Sequence, residues 1–307
     1  MGSVSEVAVL WESFGTDVTP SVGDLVKDVS YSDGYIQFST ADNFLEGNAV
    51  IAAKNSSGDI LWSWHIWLTD GPRGQEYFNN AGTMMDRNLG ATSATPGDVG
   101  ALGLLYQWGR KDPFLGSSSI ISSILAKSTL TWPSAVLSDA SNGTIEYAIA
   151  NPTTFIAKYN GTNADWYYTG SYSTDNTRWT TSETAKSIYD PCPSGWRVPD
   201  GGKDGIWAKA LNSSSSFSAI YDSTNEGINF TDKFGTDATI WYPSSGICFN
   251  TDGSLCNVGN NGYYWSASPI SNNAYFLYFS ASRSLVGPSN TDSRAHGRSV
   301  RCIRESE

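Results

Sequence analysis

The sequence predicts an α+β protein in which short strands and long loops outnumber two short helices. Short β-type runs separated by turn residues recur at both ends of the chain. Charged residues make up only 16% of the sequence, against about 25% in an average protein, so serine, threonine, asparagine and glycine must supply the polar surface. Helix-type patterns occur only over residues 99–108 and 204–211.

The start of the chain predicts a small β-rich region. Strands are predicted over residues 7–11, 35–38, 48–53 and 60–68, with turn residues between them. In the last of these strands apolar side chains fall on both faces, so we expect a central strand. The segment 69–74 breaks the pattern and predicts a boundary between an N-terminal region, residues 4–70, and a ligand-binding domain, residues 71–307.

The larger segment predicts two helices, a long insertion and a second group of strands. Asp98 is placed to cap the first helix, in which Leu102, Leu105 and Tyr106 form an apolar stripe. Residues 117–189 are rich in small polar residues with a few aromatic residues between them, which predicts a long loop insertion. The second helix is predicted over residues 204–211. Strands are predicted at residues 240–242, 246–249, 263–268, 274–280 and 299–303.

The charge of the chain excludes several classes of partner. The 307 residues include 30 acidic and 19 basic residues, for a net charge of −11. Such a molecule repels phosphate backbones and anionic lipid, so no nucleic-acid partner is expected. No segment reaches the roughly 18 consecutive apolar residues of a membrane helix, so no membrane insertion is expected.

Four cysteines, Cys192, Cys248, Cys256 and Cys302, allow three disulfide pairings. We favour a Cys192–Cys302 bridge that closes the last third of the chain and a Cys248–Cys256 bridge across a tight loop, with four reduced thiols as the alternative. None of the cysteines has the spacing of metal ligands and the chain has two histidines, so neither a metal nor a cofactor is expected. Disulfides would locate the protein outside the reducing cytoplasm.

A series of sequence blocks carries a family resemblance. The blocks are residues 85–91, 103–114, 190–199, 262–268 and 274–279, followed by Arg294, Gly297, Ser299, Val300, Arg301 and Cys302. In this order they closely resemble the bacterial major-paralogous-domain (FISUMP) family, over about residues 78–303. The strand over residues 60–67 also resembles segments that precede this domain in surface and pilus-associated proteins.

The resemblance implies an extracytoplasmic protein with a C-type lectin-like fold. It implies a helix over residues 101–108, a second helix after Pro199 and long loop insertions. It further implies a terminal antiparallel sheet built from the Tyr264, Ala274 and Val300 segments. It also supports the Cys192–Cys302 bridge, because both cysteines lie inside the family blocks.

The segment 257–294 is the candidate binding surface, because eighteen of its thirty-eight residues are asparagine, serine or tyrosine. Antibody loops use this composition, since tyrosine supplies rigid contact area and serine and asparagine supply adaptable hydrogen bonds. Alternation along residues 274–280 assigns Tyr275, Leu277 and Phe279 to the core and the opposite face to the ligand. The predicted ligand-binding residues are Asn260, Asn261, Tyr263, Asn272, Asn273, Phe276, Tyr278, Ser280, Ser282, Arg283, Asn290, Asp292, Ser293 and His296.

This C-terminal segment also resembles the variable regions of proteins diversified by retroelements, in which asparagine-type codons mutate to encode asparagine, tyrosine, serine, aspartate and histidine. We therefore expect a non-enzymatic ligand-binding protein that is secreted or exposed on the cell surface. Its expected role is that of an adhesin at the cell surface or at the tip of a pilus. Its expected partner is a protein or glycan on another cell or host surface, with pilus subunits as further partners.

Two other functions remain open from the sequence. The first is an extracellular enzyme, either of the formylglycine-generating type, which works through cysteine chemistry, or acting on glycans. The second is a structural module of the cell envelope or of a pilus. Calcium-dependent sugar binding is not expected, because the sequence lacks the ligand signatures that such lectins carry, and no residue is assigned a catalytic role.

Overall fold

The chain is built mainly from β-sheet. The computed structural model describes residues 3–158, 164–170, 175–180, 185–218, 220–230 and 240–305. Strands account for 37% and helices for 6%, with two short α-helices among these residues, α1 (Ile145–Ala150) and α2 (Ile206–Leu211). The α+β prediction, with a C-type lectin-like fold built on two helices, is therefore wrong.

The N-terminal region forms a three-stranded sheet and a separate hairpin. Its strands are β1 (Glu6–Ser13), β2 (Val26–Ser32), β3 (Tyr35–Thr40), β4 (Gly47–Lys54) and β5 (Ile60–Leu68). The sheet order is β1-β4-β5, all antiparallel, and β2 pairs with β3. The prediction that residues 60–68 form a central strand is wrong: β4 is central, and loop residues such as Lys111 and Tyr189 cover the Trp62 ring of β5 instead.

Short strands follow in the middle of the chain. They are β6 (Gly74–Tyr77), β7 (Gly82–Met85), β8 (Leu105–Gln107), β9 (Val136–Leu137), β10 (Ile156–Ala157), β11 (Trp196–Arg197), β12 (Phe217–Ser218), β13 (Gly227–Asn229), β14 (Trp241–Pro243), β15 (Ile247–Cys248) and β16 (Leu255–Cys256). Strands β9 and β10 pair in parallel, and β13 and β14 pair antiparallel.

The largest sheet carries the C-terminal strands. These are β17 (Asn261–Ile270), β18 (Asn273–Ser280), β19 (Leu285–Ser293), β20 (Gly297–Ser299) and β21 (Ile303–Arg304). The sheet order is β12-β19-β18-β17-β20-β15-β16, with β8 also paired to β20, while β21 joins β6, β7 and β11 in another sheet. Strands β17, β18 and β19 are antiparallel, but β17 and β20 run parallel at Tyr264 and Ser299. The expected antiparallel arrangement is therefore present between the Tyr264 and Ala274 segments, whereas the Val300 segment pairs with β17 in parallel.

The first predicted helix is replaced by a turn and a strand. Asp98 caps a 3₁₀ turn over Val99–Ala101, where its side chain accepts a hydrogen bond from the Gly100 N–H at 2.9 Å. Gly103 then has a φ of +69°, and a Cβ there would lie 2.8 Å from the Leu89 carbonyl oxygen. This left-handed residue ends helical geometry, so the chain continues as β8.

The other helices differ from prediction in extent and number. The second predicted helix, residues 204–211, begins at Ile206 as α2 and ends at Leu211, where the following Asn212 caps it in a left-handed conformation. Helix α1 lies in the segment predicted as a loop insertion. Thr144 caps it by accepting a hydrogen bond from the Tyr147 N–H at 3.0 Å.

Two core clusters lie on opposite faces of β17 and β18. The first contains Trp265 and Phe276, and the second contains Tyr264, Leu277 and Phe279. Adjacent residues of a strand therefore point into different cores. The part of the chain that the structure describes contains no helix with the length and apolar character needed to cross a membrane.

The cysteine predictions have different outcomes. The Cys192–Cys302 disulfide is confirmed, with a sequence separation of 110, and both residues belong to the first core cluster. The predicted Cys248–Cys256 bridge is absent, and both residues are free thiols. The strand register pairs Cys248 with Leu255 and Cys256 with Ile247, so alternation directs the two thiols to opposite faces of the β15–β16 hairpin.

Candidate functional site

Two tyrosines form the centre of the candidate site. Tyr263 on β17 lies directly opposite Tyr278 on β18, with 5.3 Å between ring centroids, and both side chains are half-buried. The Tyr263 hydroxyl accepts hydrogen bonds from the Asn261 and Asn257 side-chain amides, at 2.9 and 3.2 Å. These contacts orient the Tyr263 ring, and Tyr278 packs against it.

A buried arginine supports these rings from the core side. The Arg298 guanidinium carbon lies 3.7 Å from the centroid of Phe276, 4.3 Å from that of Trp265 and 5.3 Å from that of Tyr263. Arg298 is 0% exposed, and Phe276 is 6% exposed. Phe276, predicted to contact ligand, therefore lies beneath the surface, where it supports the tyrosines and stacks with the cation.

One carboxylate connects this buried cation to the surface. Asp292 Oδ2 accepts a hydrogen bond from Arg298 Nη2 at 2.5 Å and lies 3.5 Å from His296 Nε2, and the Asp292 side chain is 44% exposed. Burial acts to raise the pKa of Asp292, but the Arg298 charge, together with hydrogen bonds from the Ser293 N–H and Arg298, outweighs it, so the pKa lies below its usual value. Burial lowers the pKa of Arg298 to about 10, so the guanidinium is charged at neutral pH.

His296 is a neutral member of the same cluster at physiological pH. Burial lowers its pKa to about 4, and the Arg298 charge acts in the same direction, although Asp292 opposes both. Its ring packs edge-on against Phe249, at 5.3 Å between centroids, and Phe249 is 42% exposed. The surface therefore continues from the tyrosine pair through a carboxylate to an exposed phenylalanine.

The remaining predicted residues lie toward two ends of the strands. At one end are Asn260, Ser280, Ser282 and Arg283; at the other are Asn272, Asn273 and Ser293. The seven residue steps along β18 separate these ends by roughly 24 Å, at about 3.4 Å for each step. Asn290 lies between them, opposite Phe276, and its side chain donates to the Gly287 carbonyl at 2.7 Å.

Several residues at the ends of the strands make internal contacts. The Ser293 hydroxyl donates to the Ala164 carbonyl, and the Asn273 carbonyl accepts from Arg294 Nε at 2.9 Å. The buried Ser280 hydroxyl lies 3.1 Å from that of Ser282. The central set is therefore smaller than the predicted one, and we name it the β17–β19 face: Asn257, Asn261, Tyr263, Tyr278, Asn290, Asp292 and His296.

Sequence reasoning missed Arg298 and Asn257. Neither residue is among the predicted ligand-binding residues, although Arg298 forms a salt bridge with Asp292. A signal was nevertheless present: Arg298 alternates with Val300 and Cys302, which both enter the first core cluster. Period-two alternation therefore predicts that Arg298 points inward.

The β17–β19 face is suited to binding by stacking and hydrogen bonding. It offers two tyrosine rings, side-chain amides and one carboxylate on a sheet with a buried support. The residues that the structure describes include no group of three or more histidine, cysteine, aspartate or glutamate side chains able to hold a metal ion. No family model, curated protein or solved structure matches the chain.

Proposed function

We propose that the chain is a non-enzymatic ligand-binding protein of the cell exterior, and that it binds through the β17–β19 face. The supporting observation is the half-buried Tyr263–Tyr278 pair, set beside the partly exposed Asp292 carboxylate and supported by the fully buried Arg298. Tyrosine side chains supply a large amphipathic contact area at a low cost in conformational entropy. Aromatic anchors of this kind commonly dominate the binding energy of an interface.

The support beneath the face is part of the proposal. Arg298 contacts three aromatic rings and holds Asp292 by a charged hydrogen bond. Because these groups are packed before a ligand arrives, binding does not have to order them, which favours affinity. The face is thus a rigid platform, and variation of its exposed side chains changes specificity without disturbing the core.

The proposed partner is a protein or glycan on another cell or host surface, and the proposed setting is a surface or pilus-tip adhesin. The Cys192–Cys302 disulfide is consistent with an extracellular protein. We further propose that the face is diversified by a retroelement. Sequencing of codons 257–303 in the source population tests this: substitutions should concentrate at asparagine-type codons of the β17–β19 face, and uniformly low variation would contradict diversification.

Binding itself is tested with arrays of host glycans and surface proteins and with intact host cells. Tyr263→Ala and Tyr278→Ala should each weaken binding about tenfold or more, because each removes an aromatic anchor. Phe44→Ala is the matched control, since Phe44 is 54% exposed and lies in the N-terminal region, outside the β17–β19 face. Equal binding by all three variants and the original chain would refute the site, and self-association without foreign binding would favour the structural-module alternative.

A further inference from the structure

A second surface lies in the N-terminal region. Hairpin β2–β3 and strands β4 and β5 line an open groove with a volume of about 610 Å³. Its lining includes Tyr31, Tyr35, Phe38, Ile51, Trp62 and Trp64. Tyr35 is 72% exposed, and Tyr31, Phe38 and Trp64 are 40–45% exposed. A contiguous patch of large apolar side chains in contact with water marks an interaction site more often than scattered apolar residues do.

One wall of this groove is an incomplete sheet. Strand β3 pairs with β2 in a two-stranded sheet, and β2 packs against β1, so β3 forms the groove side of the hairpin. Across the described residues, no strand pairs with the other edge of β3. Such an edge presents backbone N–H and C=O groups that an added strand can pair with.

The charge of this region selects the partner. Residues 1–70 contain ten acidic and two basic residues. Both lysines are already in ion pairs, Lys27 with Asp42 at 2.6 Å and Lys54 with Glu6 at 3.4 Å. Exposed Asp33 immediately precedes the groove residue Gly34. A second copy of the chain would bring the same negative charge to the contact, so the charge favours a cationic partner over a dimer.

The lining also argues for a peptide over a glycan. Its side chains are aliphatic and aromatic apart from His65, whose ring nitrogens lie 2.9 Å from the Asn48 side-chain oxygen and 3.3 Å from the Tyr106 hydroxyl. Among the described residues that line the groove, none has a carboxylate, carboxamide or guanidinium group that could bind adjacent sugar hydroxyls. Apolar side chains from alternate positions of a strand fit such a lining better.

We propose that this groove binds an extended, basic segment of a partner protein, which pairs with the free edge of β3. Alternate apolar side chains of the segment enter the groove between β3 and β5. Its flanking lysine or arginine residues lie near the acidic side chains of the N-terminal region. The groove is separate from the β17–β19 face. The protein therefore has two docking sites, one for its ligand and one for the basic segment of the partner protein.

The test uses the intact chain and a panel of short synthetic peptides that alternate apolar and polar residues between lysine flanks. Binding is measured by calorimetry, and it should weaken as the salt concentration rises. Tyr35→Ala and Phe38→Ser should lower the affinity of the best peptide about tenfold or more. Phe44→Ser is the matched control, because Phe44 is 54% exposed but lies outside the groove, and Tyr263→Ala should also leave peptide affinity unchanged.

Peptide chemistry supplies the remaining controls. A version with glutamate flanks should bind at least tenfold more weakly, and backbone N-methylation at alternate residues should abolish binding by removing the hydrogen bonds to β3. The proposal is overturned if the whole lysine-flanked panel fails to bind, if the glutamate peptides bind equally well, or if Phe44→Ser weakens binding as much as Phe38→Ser. Tighter binding of neutral glycans than of any peptide, reduced by Tyr35→Ala, would also overturn it.

Discussion

Removal of the Cys192–Cys302 disulfide should cost a large part of the stability of this protein. The bridge spans a sequence separation of 110. In the chain-entropy model, closing a loop of that length in the unfolded state is worth about 4.8 kcal/mol at 25 °C. A domain is typically stable by about 5–15 kcal/mol, so a contribution of this size is about a third of the total or more. We expect the double variant Cys192→Ala with Cys302→Ala to lose about 3–5 kcal/mol.

Urea unfolding under non-reducing conditions measures this loss. The double variant should also show a larger dependence of the unfolding free energy on urea, because its unfolded chain is less compact and exposes more surface. Cys248→Ala with Cys256→Ala is the matched control: it also removes two sulfur atoms but no cross-link. A loss below about 1 kcal/mol, or equal losses in both double variants, would refute the assignment of this stability to the cross-link.

Three further predictions concern stability. The pKa of His296 is about 4 in the folded state and about 6.5 in the unfolded state, so the free energy of unfolding is highest above pH 6.5 and falls as the pH drops toward 4. The loss is about 2 kcal/mol at pH 5. His296→Gln should reduce this pH dependence in thermal melts. Glu12→Ala should cost about 3 kcal/mol or more in urea unfolding, since the buried carboxylate accepts the Gly23, Leu25 and Val26 N–H groups; a loss below 1 kcal/mol would contradict this. Gly103→Ala should cost about 2 kcal/mol, because φ there is +69°; an unchanged melting temperature would contradict this.

Local patterns in the sequence located most strands of the N-terminal and C-terminal regions. Alternating apolar residues and intervening turns predicted residues 48–53 and 274–280, which form most of β4 and β18. The helix prediction for residues 99–108 is wrong. The apolar spacing of this segment matches a helix, but Gly103 within it adopts a left-handed conformation. One residue with positive φ outweighs a weak helical pattern, and a pattern of side chains does not report φ.

The candidate site was predicted in part. Tyr263, Tyr278, Asp292 and His296 come together on one face, as a short polar and aromatic segment suggests. The support beneath them was not predicted, because Arg298 was not among the candidate residues. Its burial depends on Phe276 and Trp265 from two other strands, and no local window of sequence contains all three contacts.

Composition, alternation and turn residues by themselves determined that this protein is acidic, rich in strands and loops, and supplied with a tyrosine- and asparagine-rich segment near its end. Only the tertiary structure decided that β5 is an edge strand, that β20 runs parallel to β17, and that Cys248 and Cys256 stay apart. The physical reason is that a strand's alternation is a property of neighbouring residues, whereas its partners and register depend on how distant segments fill both faces of a sheet.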